Sequence, residues 1–271
     1  MVEEVAKAKL NLALHVRGRR ADGYHELETF FAFVADGDRV RAEPAAVASF
    51  EVTGPFAGAL AGEGDNLVTR AAAAFAAQFG GGPWSISLAK KLPVASGIGG
   101  GSADAAATLR ALARLHDLDV GDPRLFAIAA TLGSDVPACL LGRTAIGRGR
   151  GEALEPVPGL PGTPALLVNP GVAVSTADVF RRWDGVDRGP LPADPAEGRN
   201  DLEAPARAIA PAIGEVLDLL AAQPGTGLVR MSGSGATCFG LFDTVEACAA
   251  ADEAIRAVHP NWWALVTTLA E

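Results

Sequence analysis

Pro93-Val94-Ala95-Ser96-Gly97-Ile98-Gly99-Gly100-Gly101-Ser102 is the stretch whose reading decides the fold. Glycines at 97, 99, 100 and 101 would cost substantial backbone entropy if they only joined two elements. An anion explains them. Without Cβ atoms the backbone N–H groups close around a phosphate, and the N-terminus of a following helix adds its positive dipole end. The surroundings supply the elements: a strand at Ile86–Leu88, a turn at Lys90-Lys91-Leu92-Pro93, and a helix from about Ser102 to His116 with Ala106, Leu109 and Leu112 or Ala113 on one face. No Gly-Lys-Ser/Thr follows, so the loop is not a Walker A sequence. Nor does it open a βαβ unit near an acidic ribose ligand, so it is not a dinucleotide fingerprint. Asp104 would repel a phosphate from the first helical turn and is expected to point away as a cap, with a metal-facing orientation as the alternative.

Toward the N-terminus, residues 5 to 16 alternate, with Leu10, Leu12, Leu14 and Val16 on one parity and Lys7, Lys9, Asn11 and His15 on the other. The alternation predicts a half-buried strand with Lys9 and Asn11 on its non-core side, roughly 7 Å apart and able to act on one ligand. Asp22-Gly23 marks a turn before Tyr24-His25. Strands are expected near Arg39–Ala42, Phe50–Thr53 and Trp84–Leu88, and Asp65 or Asn66 caps an alanine-rich helix that runs to Gly80.

Toward the C-terminus, Asp122 as N-cap, Pro123 at the first helical position and Gly133 as terminator bound another helix, directly before Ser134-Asp135-Val136-Pro137. The proline-rich stretch Glu155 to Pro164 reads as a hinge, giving domains at residues 1–157 and 158–271. The second begins with a strand at Ala165–Asn169 and the capping-box spacing of Ser175-Thr176-Ala177-Asp178. Residues 184 to 199 are expected to form a mobile loop. Helices around 203–222 and 244–258 flank strands Leu228–Met231 and Thr237–Phe242, with Ser232-Gly233-Ser234-Gly235 between them and a last strand at Trp262–Thr267. Both halves therefore read as α+β.

At 271 residues the chain is long for one domain, and its 49% hydrophobic and 20% charged content is that of a soluble globular protein. A net charge of −9 excludes a general nucleic-acid binder, since phosphate contacts need surplus Lys and Arg. Cys139, Cys238 and Cys248 have no CxxC spacing and sit in apolar stretches, so neither a zinc site nor a disulfide framework is expected. No leader pattern opens the chain and no apolar run approaches 18 residues. The expectation is a cytoplasmic protein with no membrane partner, a monomer or weak homodimer. His15, His116 and His259 read as surface or packing residues, and Arg143, Arg148 and Arg150 as a solvated strand edge.

The loop, with Ala8-Lys9-Leu10-Asn11-Leu12 and Met231-Ser232-Gly233-Ser234-Gly235-Ala236, resembles in order the three motifs of the superfamily of galactokinase, homoserine kinase, mevalonate kinase and phosphomevalonate kinase. Arg20-Ala21-Asp22-Gly23-Tyr24-His25, Gly133-Ser134-Asp135-Val136-Pro137 and Asn200-Asp201-Leu202-Glu203 make the chain most similar to the 4-diphosphocytidyl-2-C-methyl-D-erythritol kinases within it. The likeness covers almost the whole chain and is weakest at residues 41–62 and 184–199. It implies an N-terminal domain of the ribosomal-protein-S5 second-domain type, a ferredoxin-like C-terminal domain, and an active site in the cleft between them. It also implies transfer of the ATP γ-phosphate, with Mg²⁺, to the 2-hydroxyl of the cytidylyl substrate in non-mevalonate isoprenoid biosynthesis. On position alone Asp135 reads equally as a turn or cap residue and as a catalytic group. The resemblance makes it the carboxylate that accepts the hydroxyl proton, and Lys9 the partner that orients it. By the same likeness Asn11 holds substrate hydroxyls, Tyr24 and Phe180 stack on the cytosine ring, and His25 hydrogen-bonds it. ATP falls to Pro93 through Ser102, Ala103, Asn66 and Lys90. The alternatives are another kinase of the superfamily, such as a mevalonate or homoserine kinase, and a non-catalytic nucleotide- or RNA-binding module.

Overall fold

A computed structural model describes residues 1–60 and 66–271. Ten strands run β1 Val2–Arg19, β2 His25–Pro44, β3 Ser49–Thr53, β4 Trp84–Ala89, β5 Ala145–Gly149, β6 Ala153–Pro156, β7 Pro164–Asn169, β8 Thr226–Met231, β9 Cys238–Phe242 and β10 Trp263–Thr268 among the described residues. The α-helices are α1 Leu67–Phe79, α2 Gly100–Leu115, α3 Pro123–Leu132, α4 Val136–Leu141, α5 Thr176–Arg181, α6 Glu203–Ile209, α7 Ala212–Ala221 and α8 Val245–Val258. They form two compact units that are not consecutive in sequence. One comprises Met1–Ala8, Asp36–Val94 and Gly99–Gly142, and the other Lys9–Ala35, Ala95–Ile98 and Arg143–Glu271.

In the first unit β4 pairs antiparallel with residues 39–44 of β2 and parallel with β3. Helices α1, α2, α3 and α4 pack on one another. Asn66 caps α1 by accepting from the N–H groups of Val68 and Thr69 at 2.9 and 3.1 Å, and Thr69 completes the capping box. Such a cap is worth about 1 kcal/mol. The alternative cap, Asp65, lies outside the described residues. Helix α2 buries Ala103, Ala105, Ala106, Ala107, Ala111 and Ala113, small side chains that let neighbouring helices approach closely, and α3 runs from Pro123 with Asp122 as its side-chain cap. Gly133 ends α3, and the short α4 follows with Asp135 in the N-cap position.

In the second unit residues 27–31 of β2 pair with β5, and β5 pairs with β6. The other sheet has the order β10-β7-β9-β8, wholly antiparallel. With α6 and α7 between β7 and β8 and α8 between β9 and β10, this is the βαββαβ order of a ferredoxin-like fold. Its core gathers Leu166, Val168, Ile213, Val216, Leu220, Cys238, Phe242 and Ile255.

Three expectations are corrected. The polar parity of β1 is not on a solvated face: Lys9, Asn11 and His15 are as buried as their apolar neighbours. Polar side chains are buried there because each finds a hydrogen-bond partner. The segment 203–222 is two helices, because Pro211 lacks the N–H that would carry α6 into α7. Residues 184–199 are tied down rather than loose. Arg230 donates to the carbonyls of Pro195 (2.8 Å), Ala196 (3.3 Å) and Gly198 (2.6 Å), His15 Nδ1 meets the Gly189 carbonyl at 3.1 Å, and Leu191 donates its N–H to Glu28.

The three cysteines are buried, and burial pushes the Cys238 thiol up and the Cys248 thiol up to about 11. Cys238 and Cys248 therefore stay as thiols, not thiolates, at neutral pH.

Candidate active site

The glycine loop enters from β4 and leaves into α2, whose N-cap is Gly99 in the left-handed conformation (φ 66°) with no side-chain cap. The first N–H groups of α2 are thus left for an anion rather than for a capping side chain.

Within the second unit, the middle of the loop lies against two distant segments. Thr237 donates its N–H to the Ser96 carbonyl (3.1 Å), Ser232 donates its hydroxyl to the Gly97 carbonyl (3.0 Å), and Lys9 donates its N–H to the Ile98 carbonyl (2.9 Å). The Asn11 N–H completes the junction on Ser232 Oγ at 3.3 Å. Gly97, at φ 81°, has to be glycine: a Cβ there would sit 2.4 Å from the Ser232 carbonyl oxygen. Asn200 holds the far side, donating to the carbonyls of Met231 and Gly233 at 2.8 Å each. Lys9, Asn11, Ser96–Ile98 and Ser232–Thr237 are therefore one hydrogen-bonded assembly.

Within the first unit, Asn66, Leu67, Val68, Arg70, Leu88, Lys90, Val94, Gly101 and Asp104 line a cleft of about 230 Å³. Its floor is an ion cluster. Lys90 Nζ reaches Asp38 Oδ2 at 2.5 Å and Asp104 Oδ2 at 2.7 Å, all three side chains buried. Asp38 also accepts the N–H groups of Lys91 and Leu92, which fixes the chain just before Pro93. Asp104 is therefore neither a cap nor a free carboxylate. It lies beyond the first turn of α2, paired with Lys90, while its second oxygen is buried without a hydrogen-bond partner among the described residues. Burial works to lower the Lys90 pKa, but the two carboxylates outweigh it and hold the group above the ordinary lysine value. Burial, helped by the Asp38 charge, pushes Asp104 up from 3.8 to about 7 against the pull of Lys90.

That shift has a measurable consequence. The folded state holds a proton on Asp104 that the unfolded chain releases near pH 4, so this group's stabilising contribution is fully present below pH 4 and is lost as pH rises through about 7. Asp104→Asn fixes the neutral form. The unfolding midpoint of the variant, measured against wild type, should move in the variant's favour from pH 5 to pH 8, and a constant difference would contradict the shift.

Asp135 occupies the N-cap position of α4 and makes no side-chain cap hydrogen bond there. Tyr24 is 54% exposed, its N–H held by Asp22 Oδ1 at 3.1 Å and the Arg150 guanidinium 5.0 Å from its ring centre. Arg150 is thus more than a solvated edge, whereas Arg148, in an exposed pair with Glu155, fits that reading. The His25 ring lies 4.9 Å from Phe180, tilted by 32°, and meets Trp183 edge-on at 5.6 Å. His25 Nε2 and Trp183 Nε1 are buried with no hydrogen-bond partner among the described residues. Burial, and then the Arg19 guanidinium, lower the His25 pKa, so its imidazole is neutral at pH 7. The sequence reading missed Asp38, Thr29 and Trp183. Trp183 alone carried a signal, as an aromatic three residues after Phe180, just beyond the end of α5.

No described helix is long and apolar enough to cross a membrane. The N-terminal domain of the GHMP kinases matches residues 66–143, and their C-terminal domain matches residues 192–261. A 4-diphosphocytidyl-2-C-methyl-D-erythritol kinase of Rhizorhabdus wittichii is 57% identical, covering 98% of this chain and 94% of that protein. One from Novosphingobium aromaticivorans is 52% identical over 97% and 91%. Among solved structures, that of a 4-(cytidine 5'-diphospho)-2C-methyl-D-erythritol kinase superposes with a TM-score of 0.85 at 39% identity over the whole of both chains. A homoserine kinase from Cytophaga hutchinsonii gives 0.69 at 19% identity, covering 98% of this chain and 95% of that one, which is likeness of fold alone.

Proposed function

Because the chain belongs to the 4-diphosphocytidyl-2-C-methyl-D-erythritol kinases, within the two-domain GHMP kinase fold, we propose that it transfers the γ-phosphate of ATP to the 2-hydroxyl of 4-diphosphocytidyl-2-C-methyl-D-erythritol in the non-mevalonate route to isoprenoids. The observation that carries this is the 57% identity running across 98% of the chain. A homoserine kinase at 19% identity and three mevalonate kinases at 10–17% share the fold alone. A net charge of −9 speaks against an RNA-binding module.

In this reading the 2-hydroxyl oxygen attacks the γ-phosphorus, the bond to the β-phosphate oxygen breaks, and ADP leaves. Asp135 takes the hydroxyl proton, and Lys9 holds the charge and direction of that carboxylate. The transition state is loose, so positioning and charge supply most of the rate. The stretch Pro93–Ala103 serves the phosphates through its backbone N–H groups, apart from Pro93, which has none, and Ala103, which gives its own to the Gly99 carbonyl, and Asn66 and Lys90 border the nucleoside. Lys90 does so as a support, since its ammonium is committed to Asp38 and Asp104. Magnesium, when bound with ATP, would supply positive charge that offsets the negative charge of the phosphates. Among the described residues no group of three or more His, Cys, Asp or Glu could hold a metal ion by itself.

Cytosine falls to Tyr24, Phe180 and His25. A neutral imidazole with an unpartnered Nε2 can meet the cytosine edge, which presents an amino donor beside ring acceptors. Asn11 meets the methylerythritol hydroxyls through its amide. The protein works in the cytoplasm, as a monomer or weak homodimer. An ADP-release assay with the cytidylyl substrate, mevalonate and homoserine side by side tests the assignment: turnover confined to the cytidylyl substrate is expected, and turnover of either other alcohol would refute it.

A further inference from the structure

Thr29, in β2, stands at the start of a one-way chain of hydrogen bonds that ends on Lys9. Its hydroxyl donates to the Ala13 carbonyl at 2.7 Å, Asn11 Nδ2 donates to Thr29 Oγ1 at 2.7 Å, and Lys9 Nζ donates to Asn11 Oδ1 at 2.7 Å. Lys9, Asn11 and Thr29 are 3%, 2% and 1% exposed, so water does not compete with these bonds. The polarity of the chain is forced. A carbonyl only accepts, so the single hydroxyl hydrogen of Thr29 is committed to Ala13 and Thr29 can only accept from Asn11. Asn11 must then present its NH₂ to Thr29 and its oxygen to Lys9. The flipped amide would set an oxygen against a lone pair and an NH₂ against an ammonium, two unsatisfied contacts in a buried place. With one of its three donor hydrogens fixed on Asn11, and the Phe31 ring centre 5.6 Å from Nζ, the directions of the other two follow.

We infer that Thr29 is a positioning residue for phosphoryl transfer: through Asn11 it sets where the Lys9 ammonium points. This rests on the reading of Lys9 as the group that orients the proton acceptor. It also assigns Asn11 a second task, since its oxygen holds Lys9 and one amide hydrogen holds Thr29, while its other amide hydrogen can donate to a substrate hydroxyl.

The test compares Thr29→Val, which keeps the shape and removes the hydroxyl, with Thr29→Ser, which keeps the hydroxyl, and with Lys9→Ala, all in the full chain. For Thr29→Val, kcat should fall about ten- to a hundredfold, the scale expected when a reacting group is misdirected without being lost. KM for ATP and for the cytidylyl substrate should both stay within about twofold, and Thr29→Ser should restore kcat to within about twofold of wild type. If the valine variant yields no folded protein, Thr29→Cys, with a weak acceptor of similar size, carries the same comparison. A folded Thr29→Val enzyme with unchanged kcat, beside an inactive Lys9→Ala, would overturn the relay and leave the reading of Lys9 standing. A serine variant as slow as valine would overturn it too, because side-chain volume rather than the hydroxyl would then be the cause. Near-full turnover by Lys9→Ala would overturn the reading of Lys9 and the relay together.

Discussion

Asp135→Asn should lower turnover by roughly 10²–10⁴-fold with little change in either KM, because the amide keeps the shape of the carboxylate but cannot take the hydroxyl proton. Lys9→Ala should do comparable damage. Groups that serve one proton transfer act as a unit, so the double variant should be scarcely slower than either single one. Losses that multiply in the double variant would show that the two residues do not share a step, and near-full turnover by Asp135→Asn would remove it from the chemistry. Steady-state kinetics on the three variants decide it.

The second large effect falls on the base. Tyr24→Ala should weaken the cytidylyl substrate by roughly 1–3 kcal/mol, the range for losing one base stacked on an aromatic ring. That is about a five- to 150-fold rise in its dissociation constant, read by calorimetry, with ATP binding unchanged. Tyr24 is half exposed and backed by Arg150, so the fold loses little when the ring is removed. An equal effect on both ligands would mean that Tyr24 supports the structure rather than the base.

Most elements were legible because their signals are local. Asn66 and Gly80 bound α1, Asp122, Pro123 and Gly133 bound α3, and Thr244 opens α8, each through a cap that the sequence displays. The hairpin β5–β6 was not legible. Residues 147–151 alternate glycine and arginine with no apolar side chain, and β5 is fixed instead by pairing with β2, a partner more than a hundred residues away, and β6 by pairing with β5. The six-residue α4 was hidden for a similar reason: Pro137 reads as a turn until the surrounding helices bury Val136, Ala138, Cys139 and Leu140.

The site divides in the same way. The glycine loop, Lys9, Asn11, Tyr24, His25 and Asp135 stand in motifs and could be named from spacing and likeness. The burial of Lys9 and Asn11 could not, because alternation in a strand separates two faces without saying what covers each. Asp38 and Thr29 lie in no motif, and their importance comes from bonds to Lys90 and Asn11 that only the folded chain brings about. Asp104, which looked repulsive to a phosphate, is reconciled by a lysine that the sequence reading had given to the nucleoside.

The central claim is that phosphate arrives on the 2-hydroxyl of 4-diphosphocytidyl-2-C-methyl-D-erythritol, and the product's own chemistry provides the check. Carbon 2 of that sugar alcohol carries a methyl group and no hydrogen, so a phosphate monoester on its oxygen has no carbinol proton three bonds from phosphorus. Proton-coupled ³¹P NMR of a reaction with ATP and the cytidylyl substrate should show a new monoester resonance without such splitting, growing in step with ADP. A monoester doublet or triplet would place the phosphate on another hydroxyl, and ADP formation with no new monoester, or no reaction at all, would contradict the account.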